Sequence, residues 1–217
     1  MMSDNYTYKT IETNGISLHV VTAGDPSHEP IVLLHGFPEF WYGWHKQIDY
    51  LAQQGYYVIV PDQRGYNLSD KPKGVKNYHI DLLAKDITGL IEVMGYTQVY
   101  VVAHDWGGVV AWWIATHYPQ YLKKLMILNA PHPNNLSDTR EFHLSQLLKS
   151  WYIIFFQLPL LPEWISKHTN TFRDAMVGSH DQSFTEEDFQ YYEKAWSQPD
   201  VITSTINWYR AAVRYLM

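Results

Sequence analysis

The sequence predicts an α/β fold class: a mostly parallel sheet flanked by helices, followed by a helical cap. Three observations predict it. Apolar runs alternate with amphipathic helical stretches through residues 1–132. Two of those runs, "YYVIVPD" and "QVYVVAHD", are continuously apolar and separated by helix, the pattern of parallel strands covered on both faces. After about residue 132 no strand pattern recurs, and helical stretches rich in Trp, Tyr and Phe follow one another up to Met217.

The elements follow in order. "YKTIET" and "ISLHVVTAG" read as strands, the second alternating Ile16, Leu18 and Val20 on one side. Asn14-Gly15 between them is a hairpin turn, so this pair is expected to be antiparallel. "PIVLLHG" is the next strand. "FWYGWHKQIDYLAQQG" reads as a helix closed by Gly55. "HIDLLAKDITGLIEVMG" repeats Ile80, Leu83, Ile87, Leu90 and Ile91 at helical spacing and ends at Gly95. "GGVVAWWIATHYP" is a helix stopped by Pro119, and "LKKLMILNAP" is one more strand. Prolines and asparagines cluster in "APHPNN", which sets the expected boundary between a core over 1–132 and a cap over 133–217.

Composition narrows the function classes. The chain has 217 residues, 46% hydrophobic and 18% charged, which excludes a disordered or collagen-like chain. Its net charge of −6 argues against nucleic acid as a partner, since phosphates are neutralised by clustered Lys and Arg. Without cysteine there is no disulfide framework, and a reducing compartment suits the chain. "MMSDNYTYKT" has no basic-then-apolar signal pattern, and "WYIIFFQLPLLP" is too short to span a bilayer. A cytoplasmic protein with no membrane span is expected. No His, Asp and Glu set has metal-ligand spacing and no Gly-rich phosphate loop occurs, so neither metal nor cofactor is expected.

"VVAHDWGGVV" places a carboxylate, Asp105, at the end of an apolar strand and follows it with two glycines. A buried carboxylate costs free energy unless its site compensates it. Strand, small-x-nucleophile-x-Gly, helix is the pattern of a nucleophile elbow, in which a tight turn lifts one side chain above the sheet. Ala103, Gly107 and Gly108 supply the small positions, and the N-terminus of the helix favours an anion. The competing reading is that Asp105 only caps that helix. A second loop, "LLHGFPEF", weighs against it: His35, Gly36 and Pro38 shape a turn whose backbone N–H groups could join that of Trp106 as an oxyanion hole.

"HGFPE", "PDQRGYNLSDKP", "AHDWGG" and "APHP" together, in this order, resemble the α/β-hydrolase fold family, and within it the epoxide hydrolase branch. The resemblance runs from about Ile11 to the last residue. It departs at Ala103, where the family often has Gly. It implies a hydrolase that opens epoxides to vicinal diols through an alkyl ester on Asp105. The N–H groups of Phe37 and Trp106 would face the oxyanion that develops when water attacks the ester. It also implies two cap tyrosines that donate to the epoxide oxygen: Tyr152 in "WYIIFFQLP" and Tyr209 in "INWYRA". His104 is expected to be structural and to point away from Asp105. Arg64 and Asp70 should fix their loop through ion pairing and turns, and His132 should do the same at the cap hinge.

The family's fold continues after the cap with strands and helices that carry the triad's acid and the water-activating histidine. Those are expected to be absent from this chain, which would then be alkylated without turning over. The implied partners are a small apolar epoxide and water, with self-association through the exposed core edge. Two alternatives stay open. One is a haloalkane or haloacid dehalogenase, disfavoured by Phe37 where a halide-binding Asn often stands. The other is a non-catalytic, hydrolase-like module that binds an apolar ligand.

Overall fold

The computed structural model describes residues 6–132, 151–177 and 184–215. Strands β1 (Thr7–Thr13) and β2 (Ile16–Ala23) form the antiparallel hairpin, with Asn14 and Gly15 at φ of 47° and 74°. Positive φ at both central residues is what a two-residue hairpin turn needs. Strands β3 (Glu29–Leu34), β4 (Tyr56–Pro61), β5 (Val99–His104) and β6 (Leu122–Leu128) complete one sheet in the order β1-β2-β4-β3-β5-β6. The pairs β4–β3, β3–β5 and β5–β6 are parallel, whereas β2 meets β4 antiparallel.

Helices α1 (His45–Gln53), α2 (Ile80–Val93) and α3 (Trp106–His117) cover the sheet. The helix expected over "FWYGWHKQIDYLAQQG" is shorter than predicted. Trp41–Trp44 is a 3-10 turn, and α-helix starts at His45. The cause is local: Phe40 is extended and the Trp41 N–H donates to Asp62 Oδ1 at 2.9 Å, which ties the entry to the β4 loop. Leu18, Val32, Leu34, Ile87, Leu90, Val110 and Ile114 bury one face of the sheet. Val21, Leu33, Val58, Val60 and Ile48 bury the other. Strand β5 departs from its continuously apolar pattern: Val99, Val101 and Ala103 are buried, while Tyr100 and Val102 are only partly covered by described residues. On the outer strand β6, Met126 and Leu128 are exposed.

Arg64 is ion-paired, making a two-pronged pair with Asp86 on α2 at 2.7 and 2.6 Å that ties its loop to that helix. Asp70 instead accepts from the Ser17 N–H at 2.9 Å. His132 stacks edge-on against Trp112, with ring centroids 4.6 Å apart.

The later described residues form helices α4 (Trp151–Phe155), α5 (Leu161–His168), α6 (Thr171–Val177), α7 (Glu186–Trp196) and α8 (Val201–Tyr215). They are not an independent body. Trp208 and Ala211 of α8 pack in the same cluster as α2 and α3, and the Trp208 indole donates to the Arg64 carbonyl at 2.9 Å. Residues 133–150, the start of the expected cap, lie outside the described residues.

Candidate active site

Parallel pairing of β3 with β5, in register at Leu34 and Ala103, brings the two strand tips side by side. His35 to Glu39 leave one tip and Asp105 leaves the other. Asp105 has φ 50° and ψ −121°, a conformation side-chain-bearing residues rarely adopt. It precedes α3 without capping it by its side chain, against the capping reading. Its Oδ1 accepts instead from the Phe37 N–H at 2.8 Å. Trp106 opens α3, where the first backbone N–H groups have no intrahelical acceptor.

The small residues are required by contact. A Cβ on Gly36 would lie 2.4 Å from the Asp105 Cβ. One on Gly107 would lie 2.5 Å from the Leu34 carbonyl oxygen, and one on Gly108 would lie 2.5 Å from the Ala130 Cβ. Ala103 is fully buried. The start of α3 can therefore press onto β3 and β6 only without side chains at 107 and 108.

His35 is fully buried, and its ring is fixed by two bonds. Nε2 accepts from the Gln63 N–H at 3.0 Å, so Nδ1 carries the proton and donates to the Gly36 carbonyl at 3.0 Å. Desolvation lowers its pKa and favours this neutral form. Pro38 is buried, and its carbonyl accepts from the Trp196 indole on α7 at 2.7 Å. His104 turns to Glu39, 3.3 Å from Oε2, and that bond raises its pKa.

A cavity of about 410 Å³ lies over Asp105. Phe37, Pro38, Tyr152, Phe156, Phe172 and Tyr209 line it with Asp105, and Trp151 and Phe155 stand at its side. Tyr152 and Tyr209 face each other with ring centroids 5.7 Å apart. Tyr209 is 5% exposed and is wedged edge-on between Phe37 and Trp106, at 5.2 and 5.0 Å. Tyr152 is 37% exposed. Burial, then the Asp105 charge, raises the pKa of both phenols, that of Tyr209 well above its ordinary value. A phenol held this way keeps its proton at neutral pH and can donate it to a developing oxyanion.

The structure brings Phe37, Asp105, Tyr152 and Tyr209 to one cavity, with Trp106 packed against Tyr209 and His35, Gly36 and Pro38 around the Phe37 N–H, whereas Arg64, Asp70 and His132 are held by partners outside it. Sequence reasoning missed four participants. Arg210, next to Tyr209, donates to the Phe156 and Leu158 carbonyls at 2.9 and 2.6 Å and pairs with buried Glu163 at 2.5 Å. Phe172 on α6 closes the cavity against Phe37. Glu39 holds His104, and its Oε1 accepts from the Tyr192 hydroxyl at 3.4 Å. Tyr66 is buried under the site, edge-on to His35 at 4.7 Å, and Asp105 adds to the rise in its pKa that burial begins. Glu39, Tyr66 and Arg210 lie inside the quoted "HGFPE", "PDQRGYNLSDKP" and "INWYRA" stretches, whereas Phe172 carried no sequence signal.

Comparison with known proteins agrees with this geometry. The alpha/beta hydrolase fold family matches residues 29–201. The AB hydrolase superfamily protein YfhM of Bacillus subtilis is 50% identical over 205 residues, 93% of this chain and 71% of that protein. Human epoxide hydrolase 4 is 38% identical over 211 residues, 94% of this chain but 58% of that protein. The crystal structure of Bacillus megaterium epoxide hydrolase in complex with an inhibitor superimposes with a TM-score of 0.84 at 33% identity, covering 94% of this chain and 71% of that one.

Proposed function

This chain belongs to the α/β-hydrolase family, among its epoxide hydrolases, and on that premise we propose that its cavity opens small apolar epoxides by forming an alkyl ester on Asp105. One observation carries the reading. The Phe37 N–H engages Oδ1 of Asp105, while Tyr152 and Tyr209 line the same cavity.

The roles follow from that placement. The carboxylate oxygen not engaged by Phe37 attacks one epoxide carbon, and the C–O bond on that carbon breaks. The electron pair goes to the epoxide oxygen, which takes a proton from Tyr209 or Tyr152. In the second step water adds to the ester carbonyl, whose oxyanion faces the N–H groups of Phe37 and Trp106. The ester C–O bond to the carboxyl carbon then breaks and a vicinal diol leaves. A carboxylate suits both steps, because a serine alkoxide would leave an ether that water does not readily cleave.

That second step needs a base. Asp105 contributes to the electrostatics of two described histidines, His35 and His104. Both nitrogens of His35 are engaged, and His104 is held towards its cationic form by Glu39. Neither is placed to take a proton from water, so neither of these two described histidines serves as that base, and accumulation of the ester is the expected outcome of the reading.

The reading also takes 1–132 as core and 133–217 as cap, and it places the protein in the cytoplasm, which the cysteine-free composition supports. Self-association through β6 belongs to it as well, supported by exposed Met126 and Leu128. An intact mass spectrum after incubation with styrene oxide tests the chemistry. Gain of one substrate mass, mapped to Asp105 and absent in Asp105→Asn, is expected. Diol accumulation without an adduct would show a base elsewhere in the chain. Neither adduct nor diol would remove epoxide opening and favour the binding-module alternative.

A further inference from the structure

A second cavity, of about 470 Å³, lies between α5, α6, α7 and the start of α8. Among the described residues it shares one lining residue with the Asp105 cavity, Phe172 of α6. The inner space is walled mainly by rings, with Phe37, Phe156 and Tyr209 beside Asp105. The outer one is walled by hydroxyls, amides and charges, among them Ser166, Asn170, Gln198 and Thr203. Phe172 therefore stands where an apolar compartment ends and a polar one begins.

The ring is braced as a partition. It is 4% exposed. It meets Phe37, which lines the inner cavity, edge-on at 5.1 Å, and Trp196, which lines the outer one, edge-on at 5.5 Å. Both supports are themselves fixed: the Phe37 N–H donates to Asp105, and the Trp196 indole donates to the Pro38 carbonyl. Arg173, the next residue, ties α6 to α7, pairing with Glu186 and Glu193 and lying over the Phe189 ring at 4.1 Å. A ring held this way gives up packed contacts on both sides if it swings aside. Core packing alone does not account for its place: Phe172 belongs to neither buried cluster on the sheet faces, and a cavity lies on either side of it.

We infer that Phe172 sets the length limit of the substrate: its ring stops the epoxide's substituent within the inner cavity and bars it from the outer one. This rests on epoxide opening at Asp105, and it commits the chain to short, apolar epoxides. With the ring removed, the outer cavity takes the polar end of a longer one. Discrimination by a filled apolar pocket is steep, one methylene being worth roughly 10–200-fold in rate.

Timed mass spectrometry of adduct formation on the full chain compares 1,2-epoxyhexane with 11,12-epoxydodecan-1-ol, in the parent and in Phe172→Ala. The ratio of the long to the short rate cancels differences in folded fraction. It should be about 0.1 or less in the parent and should rise by about tenfold or more in Phe172→Ala. 1,2-Epoxydodecane, which lacks the hydroxyl, should gain less, because its end would meet polar walls. Phe172→Val should move the ratio the same way and serves where the alanine variant does not fold. Dodecane-1,2,12-triol reads the wall without chemistry. In calorimetric titration it should bind Phe172→Ala about tenfold or more tighter than the parent, also on an Asp105→Asn background. An unchanged rate ratio, with 1,2-epoxyhexane still forming its adduct, would overturn the length limit and leave epoxide opening standing. No adduct from either epoxide, with the triol still preferring Phe172→Ala, would remove epoxide opening and leave the wall. No adduct and no triol preference would overturn both.

Discussion

Asp105 is held from below by backbone. A positive φ at the residue itself, an N–H from Phe37 and two glycines against β3 and β6 fix its position within the sheet. Tyr209, which lines the same cavity, is held by side chains: rings of Phe37, Trp106 and Phe156 around it and the Arg210–Glu163 pair behind it. The difference teaches where each half is vulnerable. Below, added volume does the damage, since close-packed backbone has nowhere to move. Above, removed chemistry does it, because the rings still pack when one polar atom is gone.

Tyr209→Phe is the sharpest test. The ring and its contacts remain, so stability should stay near that of the parent, while the rate of adduct formation falls by about 10²–10⁴-fold for loss of one general acid. Stopped-flow or timed mass spectrometry reads this directly, and a large change in urea midpoint instead would make Tyr209 a packing residue.

Arg210→Met should cost stability on a similar scale, roughly 3–5 kcal/mol, because it leaves the Glu163 carboxylate buried without its cation. The double variant Arg210→Met with Glu163→Gln should recover much of that loss in urea unfolding. An unchanged midpoint in the single variant would mean that the ion pair does not fasten α8 to α5.

Gly107→Ala adds one methyl at 2.5 Å from the Leu34 carbonyl oxygen. Overpacking costs typically about 1–3 kcal/mol. Here it should also displace Asp105, so adduct formation should fall more than the stability loss explains, measured on the folded fraction. Equal activity per folded molecule would show that the elbow tolerates movement.

The smallest effect expected is on pH dependence, and it separates two histidines near the same carboxylate. Burial lowers the pKa of His35, so its contribution to stability is full above the unfolded value near ~6.5 and is lost as pH falls through the lowered folded value. The Glu39 bond raises that of His104, whose contribution is full below ~6.5 and is lost as pH rises through the raised folded value. Urea midpoints measured between about pH 5 and 8 should therefore lose the alkaline fall in Glu39→Gln and keep the acid one.

Much of the lower half was legible. The hairpin turn at Asn14-Gly15, the strand–elbow–helix around Asp105 and the need for small residues at 107 and 108 are all local patterns, readable from spacing. The start of α1 was misplaced by several residues because Asp62, distant in sequence, captures the Trp41 N–H. Arg64 found Asp86 for the same reason: the partner that satisfies a buried cation is chosen by proximity in the fold.

The upper half was legible only through the family resemblance. Among 17 tyrosines nothing local distinguishes Tyr152 or Tyr209.

The sequence by itself determined the fold class, the two strand tips that meet, and the small residues of the tight turn at Asp105. Periodicity, turn chemistry and steric need at a tight elbow act over a few residues, and each leaves its mark in a short stretch of chain. Only the tertiary structure decided that β4 lies between β2 and β3, that Arg210 braces Tyr209 through Glu163, and that Phe172 closes the cavity. It also decided that Phe172 stands between Phe37 and Trp196. Those are pairings across tens of residues. They are set by which surfaces can be buried together and which buried charges can find a partner, and no short stretch of sequence records either.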